Sequence, residues 1–149
     1  MLHLASSKTV AKIGTGDTTT SQTATHTIDT LGFAYASIDV VFEPAAATTD
    51  AICTALKVEE SDASASGYAN VTELVGNGVG GFAIPTSGSR TADSNVVRLN
   101  LDLRGHKRYL RVSATPVAAS VVATVVRLGR GEAGPSSASD SGVQVVVNS

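Results

Sequence analysis

V-V-R-L-N-L-D-L-R-G-H-K-R-Y-L-R-V-S-A-T-P, residues 96–116, carries the clearest structural signal in the chain and its densest positive charge. Val97, Leu99, Leu101 and Leu103 alternate with Arg98, Asn100, Asp102 and Arg104, the period of two that sends apolar side chains to one face of a strand and polar ones to the other. Gly105, His106 and Lys107 break the run. A second alternation sets Leu110, Val112 and Ala114 against Tyr109, Arg111 and Ser113, and Pro116 ends it, having no N–H to give a ladder. The pattern predicts a β-hairpin. Five of the eleven Lys and Arg residues fall in it, so its solvated side is expected to be a cationic band. Arg98, Arg104, Lys107, Arg108 and Arg111 are accordingly the candidate partner-contact residues.

Working outward, the composition favours an all-β domain. The chain has 149 residues, enough for one core without staples, and a domain of that size buries about 68–70% of its unfolded surface. Its 42% hydrophobic content includes no Trp and only three Phe and three Tyr, so the core should be aliphatic. No long segment repeats apolar residues at i, i+3, i+4, i+7, whereas Val and Thr are abundant. A net charge of −2 and a pI near 5.8 argue against a general nucleic-acid binder. The single Cys53 allows no intrachain disulfide, which fits intracellular synthesis. The N-terminus lacks the charged and apolar regions of a signal peptide, and no uncharged apolar run approaches 18 residues, so no membrane association is expected.

Upstream of the hairpin, residues 1–14 read as an edge strand anchored by Val10 and Ile13, and residues 15–27 as a polar loop or arm. The strand continuing from His26 closes at Leu31-Gly32. Residues 35–43 form a strand with Ala36, Ile38, Val40 and Phe42 on one face. Residues 52–59 form another, with Ile52, Thr54, Leu56 and Val58 on one side and Cys53, Ala55, Lys57 and Glu59 on the other. These two are expected to be antiparallel neighbours. Residues 68–74 suggest one helical turn, with Val71, Leu74 and Val75 inward. Downstream, residues 120–128, S-V-V-A-T-V-V-R-L, are apolar almost without interruption, as in a central strand covered on both faces. Residues 129–142 have a linker's composition, and V-Q-V-V-V follows at 143–147. An exposed apolar strand invites pairing, so Val143, Val145 and Val147 are expected either to cross to a partner subunit or to return to their own sheet.

The motifs that usually mark chemistry lack their context here. Gly76-Asn77-Gly78-Val79-Gly80-Gly81 matches G-x-G-x-x-G, but Pro85 and Gly88 exclude the helix that would present amides to a pyrophosphate. It reads as a loop. His3, His26 and His106 have no metal-ligand spacing, and Cys53 on a strand reads as a small buried hydrophobe. No nucleophile elbow, P-loop or paired-carboxylate motif is present. No catalytic, cofactor or metal residue is therefore assigned, and a non-enzymatic role is expected.

Val58-Glu59-Glu60-Ser61-Asp62, then Asn70-Val71-Thr72-Glu73-Leu74, then residues 104–116 with their R-G-H-K-R-Y-L-R-V-S-A-T-P, then Leu128-Gly129-Arg130 and Gly134-Pro135 occur in order. This order resembles small β-rich proteins of tailed-phage and prophage head genes, over roughly residues 36–135. The chain departs from that group where a tryptophan would follow the Ser/Asp turn; Tyr68 stands there. The resemblance implies a capsid decoration, or cement, protein on the outside of the phage head, contacting the major capsid protein as a homo-oligomer. A tail, baseplate or head-fibre component is the alternative in the same biology, and a carbohydrate-binding jelly-roll module is the alternative outside it. The expected architecture is a single antiparallel β-sandwich, jelly-roll-like: an N-terminal arm and edge strand at 1–30, the sandwich at 31–128, and a linker with a C-terminal strand at 129–149.

Overall fold

The computed structural model describes residues 7–14, 22–43, 52–84, 95–117 and 121–130; the segment 143–147 lies outside them. Eight strands follow in chain order: β1 (Lys8–Gly14), β2 (Ala24–Asp29), β3 (Tyr35–Phe42), β4 (Cys53–Ser61), β5 (Ala69–Val75), β6 (Val96–Asp102), β7 (Tyr109–Pro116) and β8 (Val122–Gly129). They form two antiparallel four-stranded sheets, a front sheet in the order β1-β8-β3-β6 and a back sheet in the order β2-β7-β4-β5. β1 lies beside β8, β2 beside β7, β3 beside β6 and β4 beside β5. The chain thus doubles back on itself as one long ribbon, β1 to β4 against β5 to β8, and rolling that ribbon adds the β8–β3 and β7–β4 pairings. This is the jelly-roll form of the antiparallel sandwich.

The strand alternations of the sequence are present, but their partners differ from expectation. β6 and β7 are not a hairpin: β6 pairs with β3, β7 pairs with β2 and β4, and residues 103–108 carry the chain from one sheet to the other. β3 and β4 are likewise in opposite sheets rather than neighbours. The segment at 68–74 is strand β5, not a helical turn. Its inward residues Val71 and Leu74 are three apart because the β4–β5 register shifts between Lys57 and Glu59, and that spacing imitates a helix. A second irregularity between Cys53 and Ala55 turns Cys53 inward and Thr54 outward. Residues 24–27, read as part of a loop, begin β2, where His26 and Ile28 point inward.

The core is aliphatic. Ala36, Ile38 and Val40 of β3, Leu56 and Val58 of β4, Leu110 and Val112 of β7, and Val126 and Leu128 of β8 are all buried, with Phe42 the one aromatic among the fully enclosed side chains. Each large aliphatic side chain so enclosed contributes about 1.5–3 kcal/mol against the cost of ordering the chain. β8 is an interior strand, as its composition implies. β1 is an edge strand, but only Val10 packs on the core; Ile13 is 70% exposed.

The glycine motif is a packing device. A Cβ on Gly76 would meet Ile84 at 2.6 Å, one on Gly78 would meet Val75 at 2.7 Å, and one on Gly81 would collide with the Val75 carbonyl. Three glycines let the loop close through Asn77 N–H to Phe82 O at 2.7 Å and Phe82 N–H to Val75 O at 3.3 Å. The closed loop sets Ile84 into the core.

Candidate interaction surface

Each of the five cations singled out in residues 96–116 is engaged by a carboxylate, and they do not form one band. Arg98 lies on the outer face of the front sheet and grips Asp39 of β3 at two points, Nε to Oδ1 at 2.6 Å and Nη2 to Oδ2 at 2.8 Å. Arg104 folds onto Asp102 within its own turn. Lys107 lies 3.7 Å from Asp62. Arg108 forks onto Asp29 at 2.9 and 2.7 Å. Arg111, on the outer face of the back sheet, reaches Glu59 at 3.0 Å. The sequence separates these acids from the bases by up to 79 positions, so only the strand pairing shows that the charges cancel locally.

Around β4 and β7 the two densest charge motifs become one network. Glu59 stands opposite Arg111, Glu60 opposite Leu110 and Ser61 opposite Tyr109. Glu59 takes Arg111 and Lys57, the latter at 2.9 Å, and Tyr68 covers the Arg111 guanidinium with its ring centroid 4.0 Å away. Burial draws the Glu59 carboxyl up, but Arg111 and Lys57 overcome it and hold its pKa below the ordinary value. Glu60 behaves in the same way: burial opposes ionisation, and the Lys107 N–H and the His106 ring prevail. Arg108 holds Asp29 low, and Arg98 holds Asp39 low. The network pins the 103–108 crossover to the back sheet. Arg108 and Arg111 both pair with carboxylates on neighbouring strands of the same sheet.

Sequence reading missed an apolar row on the outer face of the front sheet. Strand register places Ile13 opposite Ala123, Ala123 opposite Val41, and Val41 opposite Val96, one row across all four strands of the front sheet. By parity the row lies on the face away from the core. Ile13 is 70% exposed, Val96 52%, and Val121 just before β8 40%. The next row holds Ala11, Val125 and the Asp39–Arg98 pair. The signal was present in β8. A strand apolar on both faces in a two-layer fold must turn one set of valines away from the core. Contiguous apolar surface of this kind, rimmed by neutralised charge, is what protein–protein contacts are made from.

Among the described residues no three His, Cys, Asp or Glu side chains gather as a metal site. A shallow depression of about 200 Å³ is lined by Gly32, Phe33, Ala34, Leu103, Arg104 and Arg130. Val143, Val145 and Val147 lie outside the described residues. The chain matches no known protein family and no curated protein.

Proposed function

We propose that this chain is a non-enzymatic structural protein of a phage particle, a decoration or cement protein that binds the major capsid protein on the outside of the head. The observation that carries the reading is the apolar row of Ile13, Ala123, Val41 and Val96 on the outer face of the front sheet. A jelly roll whose band cations are internally paired offers its partner a flat apolar face bordered by polar rows, suited to a broad surface rather than to a small molecule. The class of partner comes from the resemblance of the chain's ordered motifs to those of small phage head proteins. Many weak copies on a lattice gain by avidity what one face of this size lacks.

The test is binding to heads of the encoding phage that lack the protein. Wild-type chain should sediment with such heads and raise the temperature at which they release DNA. The double variant Ile13→Lys, Val96→Lys, placed at two exposed positions that the fold does not need, should remain folded and fail to bind. Equal binding by the variant, or labelling of tails instead of heads, overturns the proposal.

A further inference from the structure

β1 of the front sheet and β2 of the back sheet meet along one side of the sandwich, and an imidazole is enclosed where they do. His26 is 6% exposed, and its Nδ1 is buried without a hydrogen-bond partner. The ring borders a cavity of about 10 Å³ lined by Lys12 and Gly14 of β1, Thr25 of β2, and Val122 and Thr124 of β8, a volume that suits one water molecule. A single water can hydrogen-bond to a neutral ring. It does little to offset the charge of a buried imidazolium. Among the described residues the elements around the ring supply no counter-charge. β7 sets Val112 opposite His26, and β8 sets Thr124 opposite Lys12. Arg111, the next residue along β7, turns to the outer face and Glu59, and Asp29 of β2 is exposed and held by Arg108. β1 brings the Lys12 ammonium, whose Nζ donates to Thr25 O at 2.7 Å. Burial first and Lys12 second hold the His26 pKa below 6.5.

We infer that β1 is an acid-released strand: protonation of His26 lifts Lys8–Gly14 from the sandwich and leaves β2, β3, β7 and β8 folded. The charged ring must reach water, so one of the three strands around the cavity has to move. β2 and β8 are rooted in the core, with Ile28 1% exposed, Val122 2%, and Val126 and Leu128 0%. Of the β1 side chains only Val10 packs on that core. The other ties of β1 are its ladder to β8, the Lys12–Thr25 bond and the close fit of Gly14 on Ala24, where an added Cβ would lie 2.7 Å from the Ala24 Cβ. Local opening takes the least buried unit first. Lifting β1 also carries Lys12 away from the ring, so one movement hydrates the imidazolium and separates two cations. The closed form holds fewer protons at His26 than the open form. The ratio of open to closed therefore rises as pH falls below 6.5, by up to about tenfold per pH unit.

The test is amide hydrogen exchange of the full-length chain by NMR at about pH 7.5 and 5.5, each rate divided by that of an unstructured peptide at the same pH. Protection of the β1 amides should fall several-fold, up to about tenfold, between the two conditions, while β3 and β7 keep theirs. His26→Gln, which puts a neutral polar side chain at the site, should remove the pH dependence at β1. The unsubstituted chain carries a second readout, because the His26 ring resonances should titrate below the ordinary value of 6.5. Unchanged protection of β1, an equal fall across β1, β3 and β7, a wild-type fall persisting in His26→Gln, or a ring that titrates at its ordinary value would each overturn the inference.

Discussion

Glu60 receives His106 at 2.7 Å through the ring Nδ1–H, and the same carboxylate oxygen takes the backbone N–H of Lys107 at 3.1 Å. One side chain on β4 thereby fastens the loop that transfers the chain between sheets.

Glu60→Ala removes both bonds and leaves the Lys107 amide to find water. The expected loss is about 1–2 kcal/mol in denaturant unfolding, the range for deleting a charged acceptor at a partly buried site. The lost stability should be accompanied by faster exchange at residues 105–107 and little change on β8.

The ion pairs should rank by burial. Glu59 is 7% exposed at its side chain and Arg111 31%, so Arg111→Ala leaves a covered carboxylate with Lys57 and a long bond from the Ser113 hydroxyl. The expected cost is roughly 2 kcal/mol, below that of breaking a fully buried pair because Arg111 touches solvent. Arg98→Ala, at an exposed fork, should move the thermal midpoint much less. Equal effects at the two positions would contradict this ranking.

Stability should fall with acid in two stages. His26 is buried with Nδ1 lacking a hydrogen-bond partner, and burial, aided by Lys12, lowers its pKa from 6.5. The folded chain therefore holds fewer protons there than the unfolded chain, and stability begins to drop as pH falls below about 6.5. The carboxylates of Asp29, Asp39, Asp102, Glu59 and Glu60 are also held low. Their contribution is complete above the ordinary carboxylate range and is lost as pH descends through and below it. Urea midpoints measured from pH 7.5 to 3 should show both stages, and His26→Leu should abolish the first while sparing the second.

Gly81→Ala should cost several kcal/mol or prevent folding, since the added methyl would occupy the space of the Val75 carbonyl. Gly105→Ala meets nothing within 4 Å and strains only a φ of +91°, at a cost of about 1 kcal/mol. Thermal unfolding of the two variants separates close packing from backbone conformation.

The strands were legible in the sequence because alternation is a local property: Val97, Leu99 and Leu101 announce β6 whatever lies beside it. The partner of a strand is not local. A break such as Gly105-His106-Lys107 serves a hairpin and a sheet-to-sheet crossover equally well, so the expected hairpin and the expected β3–β4 pair both fell on opposite sheets. β5 escaped because its irregular register spaces Val71 and Leu74 as a helix would. The charges misled for a related reason: Asp29 and Arg108 are far apart in sequence, and their cancellation exists only in the fold. The apolar row was half visible, since β8 is greasy on both faces, but Ile13 read as a core anchor until strand register placed it on the outer face.

The ribbon topology also sets how the molecule must fold. Of the six strand pairings among the described residues, only β4 with β5 joins consecutive strands; β1 and β3 pair with β8, β2 and β4 with β7, and β3 also with β6. As the chain emerges from a ribosome, β1 and β2 have no strand to pair with until the last two appear, while β4 can pair with β5 and β3 with β6 before then. Closing such distant pairs first costs loop entropy, so the molecule should fold in milliseconds to seconds rather than microseconds. Until β7 and β8 arrive, the valines of β3 and β4 are open to chaperones and to other nascent copies.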